Sequence, residues 1–381
     1  MKKSILIAGL LGVVGVAQAQ TNVTIYGVVD LGINYTNNDG GKKIVQLESG
    51  YAQGSRLGFK GNEDLGDGLS AVFQLENGFA ADTGKLGQGG LLFGRQALVG
   101  LSSKTAGTVT LGRQYDSLVD YLAPMTANGN WAGYLLSHPL DNDNTDNSFR
   151  INNSVKYASP TFSGFTFGGL YGLGETAGDS TKNRTYSLGA SYANGPLSAG
   201  LGYLNLTRTG TTASGSITPT DANFLADKQK IFGAGINYAF GATTLGFVYT
   251  NTNLTNPTGG NGYISSFAPA VGTLNSLKLS NYEINAKYQF TPTFYAGAMY
   301  TYTQGKYDTT VGNAKPKWST LGLMADYNFS KRTDVYLQTV YQKVGGDLTG
   351  SSLDKAYIPG AGGVSDNDKQ FVVRVALRHK F

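Results

Sequence analysis

The chain contains no cysteine, which excludes both a disulfide scaffold and a thiolate metal site. It also has little charge: Asp, Glu, Lys and Arg make up 14% of its 381 residues, against roughly a quarter in an ordinary soluble domain. After the first twenty residues no apolar run reaches the length of about 18 that a transmembrane helix needs. A soluble protein of ordinary composition and a helical membrane protein are therefore both disfavoured.

Glycine and tyrosine are abundant instead, with 54 and 24 residues respectively. The glycines follow no G-X-Y period, so a collagen-like chain is excluded. Aromatic residues make up 12% of the chain, and this share argues against disorder. The composition predicts a large antiparallel β protein, surrounded either by water or by lipid.

The first 19 residues have the pattern of a removable secretory signal. Lys2 and Lys3 precede the apolar run 5–16, and Ala17-Gln18-Ala19 has the small-x-small pattern of a cleavage site. Cleavage after Ala19 would leave residues 20–381 as one exported domain and lower the formal charge from +5 to +3. So small a charge does not indicate binding to nucleic acid.

Apolar residues alternate with polar or small residues throughout the mature chain. The alternation is clear in residues 231–240, 281–290, 320–329 and 371–381. Each segment reads as a strand with one apolar face and one mostly polar or small face. A soluble sandwich would show the same alternation, so other features must decide between water and lipid.

Two features favour a barrel in a membrane. Aromatic residues gather where strands end, as a girdle at the lipid headgroups requires; they are Tyr238, Phe240, Tyr288, Phe290, Tyr327, Phe329 and Phe381. Seven short connections also alternate with eight longer ones, the asymmetry typical of outer-membrane barrels.

The fold class predicted is all-β, a transmembrane β-barrel of sixteen antiparallel strands, wide enough for an aqueous lumen. Its strands are predicted to begin near Val23, Ile44, Leu69, Leu91, Gly107, Ile151, Phe162, Asn183, Pro196, Gln229, Ala242, Lys278, Thr293, Pro316, Arg332 and Lys369.

Several motifs occur in a fixed order along the chain. They are SRLGFKGNEDLGDGLSAVFQLENGF at 55–79, LFGRQALVGL at 92–101, GTVTLGRQYD at 107–116 and RINNSVKYASPTFSGF at 150–165. With TIYGVVDLG near the start and LRHKF at the end, the chain resembles the general porins of Gram-negative outer membranes, those of beta-proteobacteria in particular. The resemblance covers essentially the whole mature chain.

The resemblance implies a homotrimer in the bacterial outer membrane, in contact with its lipid and lipopolysaccharide, each subunit enclosing its own pore. It implies that the connection from about 116 to 149 folds into the barrel as a constriction loop. It also implies arginines on the facing wall, at Arg56, Arg95 and Arg150, with Arg113 just before the loop. Phe381 matches the terminal residue thought to help the assembly machinery recognise the last strand.

The residues support this charge arrangement independently. If Leu57 and Phe59 face lipid, alternation turns Arg56 inward, and it turns Glu76 inward on the next strand. The constriction loop supplies the acids expected to oppose the basic wall, namely Asp116, Asp120, Asp141, Asp143 and Asp146. Opposed charges would set a field across the pore and tune its selectivity. The basic wall favours a mild anion preference, although some arginines could instead pair with loop carboxylates and hold the loop.

The predicted function is passive diffusion of small hydrophilic solutes and ions, with no enzymatic reaction and no cofactor. A substrate-selective channel, a barrel enzyme using His138 and an adhesin presenting the long loops are the alternatives. The run 141–146 looks a little like a calcium loop but lacks the Gly and Glu that this geometry needs.

Overall fold

One sheet of sixteen antiparallel strands closes on itself in the computed structural model, which describes residues 22–209, 214–260 and 267–381. The predicted signal segment 1–19 lies outside the described residues. The strands are β1 Asn22–Asp39, β2 Lys42–Ser49 continued by Arg56–Gly66, β3 Leu69–Gly78, β4 Gln96–Ser103, β5 Gly107–Gln114, β6 Ile151–Ala158, β7 Phe165–Gly172, β8 Thr185–Asn194, β9 Leu197–Thr207, β10 Lys228–Phe240, β11 Thr243–Thr255, β12 Leu274–Thr291, β13 Phe294–Thr309, β14 Pro316–Asn328, β15 Thr333–Gly346 and β16 Lys369–Lys380.

Strand β1 closes the barrel, because it pairs with β2 on one side and with β16 on the other. Val28 lies opposite Lys380 and Thr36 lies opposite Val372 along the closing seam. A sheet closed in this way has no edge with unpaired backbone groups, which is the condition for crossing a bilayer with strands.

The predicted fold class is confirmed, and every predicted strand begins within five residues of an observed one. The largest differences are at β4, which begins at Gln96, and at β12, which begins at Leu274. Two connections predicted to be longer contain tight turns: Gly40-Gly41 joins β1 to β2, and Thr310-Val311 joins β13 to a short strand, Gly312–Ala314, that precedes β14. At the first of them, both glycines have a positive φ, which suits a two-residue hairpin turn.

The two faces of the sheet differ as the alternation predicted. On β12, Ile284 is 58% exposed on the outer face, whereas the neighbouring Glu283 is fully buried on the inner face. At the ends of β10, β12 and β14 nearest the short turns, exposed aromatic side chains form contacting pairs. These pairs are Tyr238–Phe240, Tyr288–Phe290 and Tyr327–Phe329.

The connection between β5 and β6 folds into the lumen as a chain of short helical turns. The turns are Leu118–Leu122, Ala123–Met125, Asn128–Ala132, Tyr134–Leu136 and Pro139–Asp141. None of the helices in the described residues is long and apolar enough to cross a membrane. The apolar side chains of these turns pack against the inner wall, where Leu118, Leu122, Leu135 and Leu136 are fully buried.

Glycines on the inner wall make room for this constriction loop. They lie on β8, β9, β10, β13 and β14 at Gly189, Gly200, Gly202, Gly233, Gly235, Gly297 and Gly322, and a Cβ atom on any of them would meet a loop residue closer than 3 Å. The tightest approach is at Gly200, whose Cβ would lie 2.1 Å from the backbone oxygen of Tyr121. Part of the high glycine content is thereby explained by close packing of a loop on a wall.

The substitution Gly200→Ala should displace the constriction loop, because its methyl group would collide with backbone that cannot rotate away. Overpacking of this kind costs about 1–3 kcal/mol. We expect the loop to move away from the wall, because this removes the clash at the lowest cost in free energy. We expect faster chymotrypsin cleavage within residues 115–150 of the folded barrel. The control is Gly345→Ala on β15, where a Cβ atom would have no neighbour within 4 Å. Equal cleavage rates in both variants would contradict this packing.

Candidate functional site

The narrowed lumen contains a cavity of about 740 Å³. Its wall is formed by the interruption of β2 at 50–55, the connection between β3 and β4, the constriction loop and residues 220–223. The charged side chains that line it are Arg56, Arg95, Asp146, Arg150, Asp221 and Arg378.

The interruption of β2 results from hydrogen bonds to one carboxylate on β1. Asp30 accepts hydrogen bonds from the backbone N–H groups of Ala52 and Gln53, each at 2.9 Å. These bonds hold the segment away from the sheet ladder and leave it on the cavity wall. Asp30 itself is paired with the buried Arg374 at 3.1 Å, so its charge is balanced within the protein.

Glu76 organises two of the four predicted arginines. It accepts a hydrogen bond from Arg95 Nε at 2.7 Å, and Arg56 Nη1 lies 3.9 Å away. Arg95 also donates to the hydroxyl of Tyr115 at 3.0 Å and is 7% exposed. Arg56 has fewer partners, and 21% of its side chain remains exposed. Arg56 is therefore the more accessible of the two charges.

Arg150 has the least compensated guanidinium on the cavity wall. It lies over the ring of Tyr115, 5.6 Å from the ring centroid, and donates to the backbone oxygen of Ser148 at 3.3 Å. Its Nε has no hydrogen-bond partner among the described residues. Asp146 is the loop carboxylate whose charge interacts with this guanidinium.

Arg113 differs from the other three arginines, because it does not line the cavity. Its two terminal nitrogens bind both oxygens of Asp221, at 2.8 and 2.9 Å, and its Nε donates to the backbone oxygen of Gly94. The pair joins β5 to the connection between β9 and β10. No periodicity or motif in the sequence singles out Asp221, because it lies in a long connection.

Four of the five loop acids expected to oppose the basic wall are occupied elsewhere, and only Asp146 of the five lines the cavity. Asp116 accepts from the backbone of Leu118, and Asp141 accepts from Ser148 within the loop. Asp120 pairs with Lys156 on β6 at 2.6 Å. None of these three, nor Asp143, lines the cavity.

His138 fastens the constriction loop to the wall. Its Nδ1 lies 2.5 Å from Asp143 Oδ2 within the loop, and its Nε2 lies 2.9 Å from Glu283 Oε2 on β12. All three side chains are fully buried. Burial alone would lower the pKa of His138, but the charge of Asp143 and the hydrogen bonds to both carboxylates raise that pKa to about 10. The ring is therefore a cation at neutral pH, balanced by two carboxylates.

The same contact determines the ionisation of Asp143. Burial alone would raise the pKa of Asp143, but the charge of His138 and hydrogen bonds from His138, Thr250 and Thr145 lower it to about 2.

Within the described ranges, no group of three or more acidic or histidine side chains is arranged to hold a metal ion.

Comparison with known proteins places these features in a family context. A family model described as Gram-negative porin matches residues 7–347. An outer membrane porin protein of Bordetella pertussis is 36% identical over 250 residues, which cover 59% of this chain and 64% of that protein. Outer membrane porin protein 32 of Delftia acidovorans is 32% identical over 397 residues, covering 100% of both chains. The alignment thus spans less than two thirds of the first relative and all of the second.

A solved structure is also similar over nearly the whole chain. An anion-selective porin from Comamonas acidovorans superposes with a TM-score of 0.71 at 27% identity, covering 95% of this chain and 100% of that one.

The substitution His138→Gln should loosen the constriction loop, because Asp143 and Glu283 would be left buried without their cation. Removing one partner of a buried ionic group costs about 3–5 kcal/mol. Protease cleavage of the folded protein within 115–150 should accelerate at pH 7. The control is His379→Gln, which removes an exposed histidine that shares a hydrogen bond with Thr333 at the barrel surface.

The pH dependence of wild-type cleavage provides a second test of the role of His138. A raised pKa means that His138 stabilises the loop fully below its ordinary pKa of about 6.5 and loses that effect as the pH rises through about 10. Loop cleavage in the wild type should therefore increase between neutral pH and pH 10, and this increase should be absent in His138→Gln. The role of His138 in holding the constriction loop is excluded if the wild type and His138→Gln show the same pH profile of cleavage.

Proposed function

The chain belongs to the Gram-negative porin family, and from this premise we propose that its narrowed lumen passes small hydrophilic solutes and ions with a mild preference for anions. It is an outer-membrane porin whose strands cross the membrane many times. Short turns of such barrels face the periplasm and longer connections face the outside, so solutes enter at the constriction-loop end.

The charge on the cavity wall carries the proposal. Four arginines line the cavity against two carboxylates, Asp146 and Asp221. Arg95 is balanced by Glu76, and Arg378 by Asp334 and Asp326 at 3.0 and 3.4 Å. Partly uncompensated positive charge is then left at Arg56 and Arg150. An excess of this size favours anions without excluding cations.

Catalysis is not part of the proposal, because the residue that a barrel enzyme would use is already occupied. Both ring nitrogens of His138 are bound to carboxylates, and the ring is fully buried away from the cavity. A general base needs a free nitrogen within reach of a substrate. We propose that the lumen selects solutes by its width and charge and needs no cofactor.

A homotrimer is part of the proposal, and the outer surface supports it. On β1 to β5 the exposed large apolar side chains are all aliphatic, including Val45, Leu47, Val99 and Leu111. Exposed aromatic residues begin at Tyr157 on β6 and continue to Phe381 at the end of β16. Because aromatic girdles mark lipid-facing surface, the sector without them is the candidate contact between subunits, and the rest faces lipid and lipopolysaccharide.

Phe381 is proposed as the assembly signal because it completes the closing seam. Its backbone N–H donates to Gly27 and its carbonyl accepts from Gly27, both at 3.1 Å. Its ring covers Gly27 so closely that a Cβ atom there would lie 2.2 Å from Phe381 Cζ.

The double substitution Arg56→Gln/Arg150→Gln should abolish the anion preference, because it removes the uncompensated charge. In planar bilayers with a KCl gradient, we expect a reversal potential on the anion side for the wild type. The double variant should give a value near zero or on the cation side. The control is Arg332→Gln, which removes one exposed charge at the short turn between β14 and β15, outside the cavity. A cation-selective wild type would refute the anion preference.

A further inference from the structure

A buried ion pair outside the cavity lining lies behind the interruption of β2. Arg374 on β16 is fully buried, and its Nη2 lies 3.1 Å from Asp30 Oδ1 on β1. Neither residue lines the cavity. The other two guanidinium nitrogens of Arg374 donate to the hydroxyl of Tyr336 at 3.0 Å and to Asn34 Oδ1 at 2.8 Å. Because every guanidinium nitrogen has a partner, Arg374 is held in one orientation.

The interruption of β2 is an insertion relative to β1. Leu31 lies opposite Ser49 and Val28 lies opposite Arg56, so the six residues 50–55 face only two residues of β1. An insertion of this size leaves the ladder, and its backbone N–H groups need acceptors elsewhere. The position of the segment therefore depends on the groups that accept these hydrogen bonds.

Asp30 accepts hydrogen bonds from three backbone N–H groups of this segment. Its Oδ2 accepts from Ala52 and Gln53, and its backbone oxygen accepts from Gly50 at 2.8 Å. Its Oδ1 is bound by the guanidinium of Arg374. Since Arg374 fixes one carboxylate oxygen, the other is directed at the segment.

The same segment orients the accessible arginine of the cavity wall. The backbone oxygen of Gly54 accepts a hydrogen bond from Arg56 Nε at 2.8 Å. A Cβ atom at Gly54 would lie 2.9 Å from Arg95 Nη1, so Arg95 also packs closely against the segment. Movement of the segment would therefore displace the charge on which the proposed anion preference depends.

We propose that the buried pair of Arg374 and Asp30 determines the anion preference of the pore by positioning Arg56. This inference rests on the proposed function, and it assigns a role in selectivity to two residues that line no part of the cavity. The pair is neutral as a unit, so it adds no net charge to the lumen. Its effect on solutes passes through the segment 50–55.

The direction of the change in selectivity separates positioning from direct electrostatics. Asp30→Asn removes a negative charge, and a purely electrostatic role would then increase the anion preference. The amide of Asn has a single oxygen, which cannot both bind Arg374 and accept from the two N–H groups of the segment. The segment should loosen, and the anion preference should decrease.

The test measures the reversal potential of refolded trimers in planar bilayers with a KCl gradient. Asp30→Asn and Arg374→Gln should each lose most of the anion-side potential of the wild type and approach the value of Arg56→Gln. The double variant Asp30→Asn/Arg374→Gln leaves no unpaired charge in the buried site, so it should fold even where a single variant does not. It should lose the potential as well, because the segment has still lost its acceptor.

The matched control is Asp334→Asn on β15. Asp334 is also a buried carboxylate bound to an arginine of β16, with its Oδ2 3.0 Å from Arg378 Nε. Arg378 lines the cavity, so removal of its counter-charge should increase the anion preference. The two Asp→Asn substitutions remove the same charge, and we expect them to shift the reversal potential in opposite directions.

Thiol labelling reports on the segment independently of selectivity. The chain has no cysteine, so Gln53→Cys places a unique thiol on the cavity wall. Gln53 Oε1 has no hydrogen-bond partner among the described residues, and the substitution therefore removes no bond from that atom. Adding Asp30→Asn or Arg374→Gln should raise the rate of reaction with a neutral methanethiosulfonate several-fold, whereas adding Asp334→Asn should leave that rate unchanged.

The proposal is overturned if Asp30→Asn keeps or increases the anion preference of the wild type, or if the labelling rate of Gln53→Cys does not change with the pair. A cation-selective wild type would instead refute the proposed anion preference. The labelling rates do not depend on ion selectivity, so the two failures can be told apart.

Discussion

Backbone hydrogen bonding in lipid is the constraint on which the rest of this structure depends. A strand in the bilayer must pair on both sides, and the seam between β1 and β16 meets that condition for the whole sheet. Once the sheet is closed, alternation sends every second side chain inward. The inner face can then be polar, and sixteen strands enclose a lumen too wide for wall side chains to fill.

The constriction loop fills part of that space, and two different kinds of contact determine its position. Glycines on the wall let the loop backbone approach closely, as at Gly200, whereas His138 binds it through charge to Asp143 and Glu283. A buried ionic cluster of this kind is weak evidence for stability but strong evidence for a defined position. Because the loop packs against β8 to β15, the cavity remains open toward the arginines of the facing wall.

The strands and the inward direction of Arg56 and Glu76 could be predicted, because alternation has a physical period that the sheet must obey. The loop acids could not be sorted in this way. Asp116, Asp141 and Asp146 lie on an irregular loop without a common period, so their spacing in the sequence does not indicate which of them reaches the cavity. The pairing of Arg113 with Asp221 joins residues 108 positions apart, and the chain gives no local sign of it. The interruption of β2 likewise depends on Asp30 of another strand.

The central claim is that this loop narrows a water-filled pore without closing it. Single-channel conductance of the refolded protein in a planar bilayer tests that claim most directly. We expect stable openings that close in three steps, one for each subunit of a trimer, with weak selectivity for anions. Folded, heat-resistant trimers that insert into the bilayer and carry no current would contradict it.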